Sequence, residues 1–486
     1  MSKICAIAGL MVLLNLPSLA GAQQLWSTKG GIRRMNDSIE QIMSDVGIPA
    51  LSLAVIKNNR IVYFKTYGYK HSGKKDPVNE ETIFQAGSLT KSALVFIVYK
   101  LVDEGLFDLD RPMYKYLEYA PLEHDPRYKL ITPRMIMSHC SGIENVKADN
   151  NPDTLDIVSD PGKKFVYSGE GYVYLSKVVE LILHERYEDY VNEMVIEPLG
   201  LTRTYTHFSR DGKYPENYAY GYSIFGKEFE KHKDTVPDPM GSMNMTAQDY
   251  ARLLLAIFNG KYLSQNRMRD LLHPMIRLDP ANPDYFYGPG FQVLFSSRDT
   301  IISHGGSTWG FKAGIYYSKV SKDGFVYLSS GDRGDAIANK LNKLTVGLDL
   351  RGIFRSDLFP QYPSDAGNLL RTYNKKGTDA LFEAVEQLEK TGDTHRISKA
   401  LDEMGYLFID HDTGIARRLL VQDVALFPQS SIPAYLLGET YLAMGNYKLA
   451  YRELLRARAL HFDLAPMDYD LKVCEEKISG RSDKKD

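Results

Sequence analysis

A serine and a lysine three residues apart open the most apolar stretch of the chain. In Phe84-Gln85-Ala86-Gly87-Ser88-Leu89-Thr90-Lys91, Gly87 permits a tight turn, Ser88 stands where a helix should begin, and Lys91 follows on the same face. The next run, Ala93-Leu94-Val95-Phe96-Ile97-Val98, is apolar nearly all round and predicts a buried helix. An amine on the first turn of such a helix is costly to keep charged. Desolvation lowers its pKa, and a neutral lysine can accept the proton of a serine hydroxyl. The chemistry on offer is nucleophilic attack by a serine activated without histidine. The spacing alone is weak: Ser72/Lys75 in a Gly-Lys-Lys turn and Ser482/Lys485 in a charged tail repeat it on what reads as solvated surface. A plain helix N-cap at Ser88 would look the same.

Later segments supply partners. Lys164-Phe165-Val166-Tyr167-Ser168-Gly169-Glu170-Gly171-Tyr172 puts a tyrosine in a Gly-rich turn before a helix, where its hydroxyl could relay protons to a leaving group. Ser303-His304-Gly305-Gly306-Ser307-Thr308-Trp309-Gly310-Phe311 sets consecutive glycines after a strand, so that substrate can lie against backbone and N–H groups can bind an oxyanion. Met137-Ser138-His139-Cys140-Ser141-Gly142 reads as structural, with His139 fixing a loop. No Gly-x-Ser-x-Gly is present, which disfavours an α/β-hydrolase elbow. His184-Glu185-Arg186-Tyr187-Glu188 lacks the second histidine of a zinc helix, so no metal and no cofactor is assigned.

In order, Ser88-x-x-Lys91, Tyr167-Ser168-x-x-Gly171-Tyr172 and His304-Gly305-Gly306 resemble the motifs of penicillin-recognising serine hydrolases. The nearest branch is class C β-lactamase-like and includes esterases, D-amino-acid peptidases and DD-carboxypeptidases. Leu101-Val102-Asp103-Glu104-Gly105, Ser138-His139-Cys140-Ser141-Gly142 and Gly241-Ser242-Met243 add to the likeness, which covers roughly residues 30 to 350. The resemblance implies Ser88 as the acylated nucleophile, Lys91 as its base and Tyr167 as the group that assists that base and protonates the leaving group. It implies an oxyanion hole from the N–H groups of Ser88 and Ser307, and puts His304, with Gly305 and Gly306, on the strand facing substrate. Two departures stand out. Gly169 replaces the asparagine of the family's Tyr-x-Asn, and His304 replaces a lysine, so that no fixed cation for a penicillin-type carboxylate is expected. Esters, amides or small peptides are the expected substrates rather than β-lactams. The alternative is a catalytically degenerate fold of this kind that binds peptidoglycan or protein.

The elements that must position these residues are legible in outline. A helix is expected over Gly31–Val46, then strands Ala50–Lys57 and Ile61–Tyr67 around an Asn58-Asn59 turn. Helices follow, among them Tyr172–Leu183 and Thr246–Phe258, then strands at Phe291–Phe295, Thr300–Ser303, Gly314–Tyr317 and Phe325–Ser329. Strands early and late with helices between predict an α+β fold: one antiparallel sheet flanked by helices, a helical lobe inserted, and a cleft between the lobes. Residues 361–486 carry helical periodicity only, with Leu437-Gly438, Tyr441, Gly445, Tyr447, Ala450 and Leu454 at tetratricopeptide-like spacing and Met404-Gly405 one weaker repeat upstream. Those repeats could recruit a protein partner.

Residues 1–22 combine Lys3, a short apolar run and Ala20-Gly21-Ala22, a pattern expected of a removed export signal, which places the chain in the periplasm or outside the cell. The organisation expected is signal peptide 1–22, hydrolase domain 23–360 and helical domain 361–486. A formal charge of −2 gives no electrostatic case for nucleic acid, and no stretch predicts a membrane span. Cys140 and Cys474 fall in different expected domains, so no disulfide framework is expected.

Overall fold

Asn58 and Asn59 both adopt left-handed backbone angles, φ 49° and 60°. A two-residue hairpin turn demands this conformation, and asparagine tolerates it better than most side chains. In the computed structural model the pair joins β1 (Ala50–Lys57) to β2 (Arg60–His71). The described residues are 28–147, 153–208, 216–230, 236–279, 282–353, 362–461 and 465–479. The expected export signal, Ser482/Lys485 and parts of the segment 209–235 lie outside them. Two units divide the chain between Phe359 and Pro360, the smaller also taking Asp45–Gly47.

In the larger unit β1 and β2 are extended by β3 (Asp76–Pro77), while the other edge of β1 pairs with the last strand, β11 (Gly324–Ser330), Leu51 opposite Ser329. The short pair β4 (Phe84–Gln85) and β5 (Asn244–Met245) stands apart. Chain order then supplies β6 (Ile276–Asp279), β7 (Asn282–Gly288), β8 (Phe291–Phe295), β9 (Thr300–Thr308) and β10 (Phe311–Ser318). Among the described residues these form one 9-stranded sheet in the order β3-β2-β1-β11-β10-β9-β8-β7-β6. Its halves come from both ends of the unit, and the fold is the expected α+β arrangement. The expectations missed β6 and β7, whose Asn, Pro and Asp residues read as turn; proline near a strand start is compatible with pairing. They also ended β9 too early. The strand runs on through His304-Gly305-Gly306-Ser307, because the ladder to β10 holds those residues extended, Ser307 opposite Lys312.

Helix α1 (Lys29–Val46) precedes the sheet, and α2 (Lys91–Asp103) runs through the core. From Ala93 to Tyr99 every residue of α2 is fully buried. A side chain such as Phe96 or Ile97 contributes about 1.5–3 kcal/mol when taken out of water entirely. Helices α3 (Pro133–Met137), α4 (Gly169–Leu183) and α5 (Ala247–Phe258) follow, capped by Thr132, Ser168 and Thr246 respectively. Each cap side chain accepts an N–H that the first helical turn leaves unpaired.

The smaller unit is all-α: Asp365–Lys376, Thr378–Glu389, Thr394–Ile409, Thr413–Leu426, Ser431–Ala443, Tyr447–Ala459 and Ala465–Ser479. Successive helices pack through small residues. Gly405 receives the Leu420 side chain and Gly438 receives Leu454, so one contact recurs at nearly the same interval along the chain. Cys140 and Cys474 are buried free thiols. No described helix is long and apolar enough to cross a membrane.

Candidate active site

Residues Gly87–Thr90 form a tight helical turn that leads straight into α2, so Ser88 is not the cap of the α-helix but sits one turn before it. In such a turn side chains three apart eclipse, which brings Ser88 and Lys91 together more directly than an α-helix would. Lys91 Nζ lies 3.4 Å from Ser88 Oγ and donates to the Met240 carbonyl at 2.7 Å. The two residues differ in access: Ser88 is half-buried, whereas Lys91 is 1% exposed. Burial lowers the Lys91 pKa to about 7, against an upward pull from Asp238. Near neutral pH a sizeable share of the amine is therefore uncharged and able to take a proton.

The segment that presents Met240 is fixed to the serine turn. The Ala86 N–H donates to the Met243 carbonyl at 2.9 Å, the Met243 N–H donates to Thr90 Oγ1 at 3.1 Å, and β4 pairs with β5. On the opposite side β9 outruns β8, whose pairing stops at Gln292↔Ser303. The remainder of β9 is bonded to β10 on one edge only, and the serine turn occupies the other. Gly87 has φ 53°, and a Cβ there would stand 2.8 Å from Ser307 N and 3.0 Å from Ser307 O, so the Ser307 backbone lies against the residue that precedes Ser88, and both serines line one cleft. At Gly306 a methyl would run into the Ala86 carbonyl. These two glycines let strand and turn approach closely enough for a strand N–H to reach a charge developing at the serine.

Tyr167 lies in the turn before α4, with Lys91 Nζ 5.0 Å from its ring centre. Burial pushes its phenol up to about 12, and Ser88 draws it back slightly, although the hydroxyl forms no hydrogen bond of good geometry. At neutral pH the phenol is thus a proton donor, and the Lys91 amine is the group able to act as base.

Ser88, Lys91 and Tyr167 line one cleft of about 750 Å³, with Ser307, Thr308 and Trp309 on its strand side. His304, expected to face substrate, is buried behind the cleft within electrostatic reach of Lys91, and neither it nor Gly305 nor Gly306 lines the cleft itself. Position 304 points inward from β9, and the ring packs edge-on to Tyr287 and Phe291 at 6.1 and 6.4 Å. Its Nδ1 lies 2.7 Å from the Gly305 carbonyl, and burial lowers its pKa to about 4, so it is neutral in the working range.

Three contributions had no signal in the motifs. Asn145 lines the cleft, and its side-chain carbonyl accepts from the Gly169 N–H at 2.9 Å. An asparagine amide therefore stands beside the glycine that interrupts the expected motif. Lys312, paired with Ser307 across the ladder, donates to Ser307 Oγ at 2.8 Å and brings an ammonium to a strand expected to lack one. Met240 contributes only a backbone carbonyl, which residue type cannot reveal. Among the described residues no group of His, Cys, Asp or Glu gathers to hold a metal ion.

An antiparallel sheet flanked by helices, with a serine and a buried lysine at the start of its central helix, defines a β-lactamase and penicillin-binding-protein type of fold. The Beta-lactamase family model matches residues 35–347, and the chain belongs to that family. The chain is similar to Protein flp of Staphylococcus aureus (strain MRSA252), 26% identical over 216 residues, 40% of this chain and 43% of that protein. It thus spans less than half the length of that relative. Among solved structures it is similar to the octameric penicillin-binding protein homologue from Pyrococcus abyssi, with TM-score 0.54, 23% identity and coverage of 62% of this chain and 74% of that one. It is also similar to a D-stereospecific amidohydrolase from Streptomyces sp., with TM-score 0.55, 18% identity and coverage of 65% and 99%.

Proposed function

We propose that the chain is an exported serine hydrolase that cleaves an ester, amide or small-peptide bond through an acyl-enzyme on Ser88. The observation that carries this reading is the Lys91 amine, buried, lowered to about 7 and 3.4 Å from the Ser88 hydroxyl at the floor of a cleft. Ser88 Oγ attacks the substrate carbonyl while its proton passes to Lys91 Nζ. The carbonyl oxygen becomes an oxyanion beside the Ser307 N–H, where one fixed donor is worth about 2.7–4 kcal/mol in the transition state. Tyr167 gives its proton to the leaving group as the carbon–heteroatom bond breaks, and recovers one from the Lys91 ammonium. Water then releases the acyl group by the same route in reverse.

The resemblance to a D-stereospecific amidohydrolase supports a substrate with a D-configured residue. The recurrent Gly405–Leu420 and Gly438–Leu454 contacts support reading the helical region as tetratricopeptide-like, a surface for a protein partner. A fluorophosphonate probe tests the central step. Mass spectrometry is expected to find the adduct on Ser88 and none on a Ser88→Ala variant; intact wild-type protein without an adduct overturns the proposal.

A further inference from the structure

His139 is fully buried behind Tyr167 and holds it from three directions. Its ring stacks on the Tyr167 ring at 4.1 Å with planes 26° apart. Its Nδ1 accepts the N–H of Ser168 at 3.1 Å, and its carbonyl accepts the N–H of Val166 at 2.8 Å. The amides on either side of the tyrosine are thus bound by one residue whose ring also covers the tyrosine's face. The backbone at 139 is left-handed, φ 51°, a strained conformation for histidine that persists only where its surroundings require it. Because Nδ1 accepts a hydrogen bond, the ring proton of the neutral imidazole sits on Nε2, and burial beside Lys91 lowers the histidine's pKa well below its ordinary value. The acceptor is therefore kept throughout the working range.

We propose that His139 is a positioning residue for the leaving-group step: it fixes the direction of the Tyr167 hydroxyl toward Ser88 without touching substrate. This rests on the catalytic reading of Tyr167 above. An alternative duty, merely closing the loop from Met137 to Gly142, would affect the fold but not one chemical step in particular.

The distinction is measurable because only poor leaving groups need a proton. A p-nitrophenyl ester departs as a stable phenolate, whereas a primary amide with the same acyl group must be protonated. General acid catalysis is worth about 10²–10⁴-fold. His139→Phe keeps an aromatic ring and removes the acceptor; its kcat on the amide is expected to fall roughly 10–100-fold, with the ester changed less than about threefold and KM little altered. His139→Asn, whose side-chain oxygen replaces Nδ1 and which tolerates a left-handed backbone, is expected to restore much of the amide rate. In a Tyr167→Phe background His139→Phe should cost nothing further, since both act through one hydroxyl. Equal losses on ester and amide, or additive losses in the double variant, overturn the positioning role while leaving Tyr167 catalytic. A Tyr167→Phe variant with full amide activity overturns the underlying reading as well.

Discussion

In the larger unit burial drives the Lys91 amine down to about 7 beside a hydroxyl that can use its lone pair. In the helical unit burial drives carboxyls the other way. Asp402 and Asp423, on adjacent helices, face each other and are both raised well above the carboxylate range, and Glu439 with Asp470 repeats the arrangement. Desolvation is the first cause in every case. The outcomes differ because of what lies alongside. Lys91 meets a half-exposed nucleophile and an open cleft, whereas Asp423 meets another carboxyl, that of Asp402, and the Ser398 hydroxyl, 3.2 Å away. A displaced pKa therefore marks chemistry only where a reactant can reach it.

The largest separation of the two regions should come from Lys91→Met, which removes the buried amine and nearly preserves the side-chain length. Turnover of any accepted ester should fall by about 10²–10⁴-fold. The melting temperature should hold or rise, since a group costly to bury has gone. A variant that loses stability while keeping activity would show that Lys91 is a structural cation, like a buried ion-pair partner, and erase the contrast.

The pH dependence sharpens the same point. Only the neutral amine accepts a proton, so kcat/KM should rise with pH, inflect near 7, and be about a hundredfold lower at pH 5 than on the plateau. His304, lowered to about 4, gives no inflection near neutrality, and Tyr167, raised to about 12, gives no descending limb below about pH 10. A bell-shaped profile centred near 7 would mean that a different pair of groups runs the reaction.

Chain order carried much of this, and the reason is local. Ser88 and Lys91 are three apart on one turn, Asn58-Asn59 is a hairpin in two residues, and the helix of α2 is written in consecutive apolar side chains. What the sequence hid depends on who lies opposite whom. Lys312 reaches Ser307 through the β9–β10 register, Asn145 reaches Gly169 across a loop, and His139 covers Tyr167 from a segment 28 residues earlier in the chain. The burial of His304 was equally hidden: the two-residue alternation of a strand sets its ring among Tyr287 and Phe291, behind Lys91. The carboxyl pairs of the helical unit were equally invisible, because each half reads as an ordinary surface acid until two helices bring them together.

Those pairs give the smallest predicted effect. A carboxyl whose folded pKa is raised binds its proton more tightly in the native state than when unfolded. Its favourable contribution is complete below the unfolded value and disappears as pH rises through the folded one. Stability of the helical unit should accordingly decline from the carboxylate range up through neutral pH, because the unfolded chain gives up its carboxyl protons there while the folded Asp402–Asp423 pair still holds one. Asp423→Asn keeps an oxygen for Ser398 Oγ and cannot ionise. In the full-length chain, calorimetry at pH 8 should show its helical-unit transition roughly 3–6 °C above wild type, and the gap should close near pH 4. An equal gap at both pH values would assign the gain to packing, whereas a lower transition at pH 8 would mean that the charged pair is held by a cation rather than by a proton.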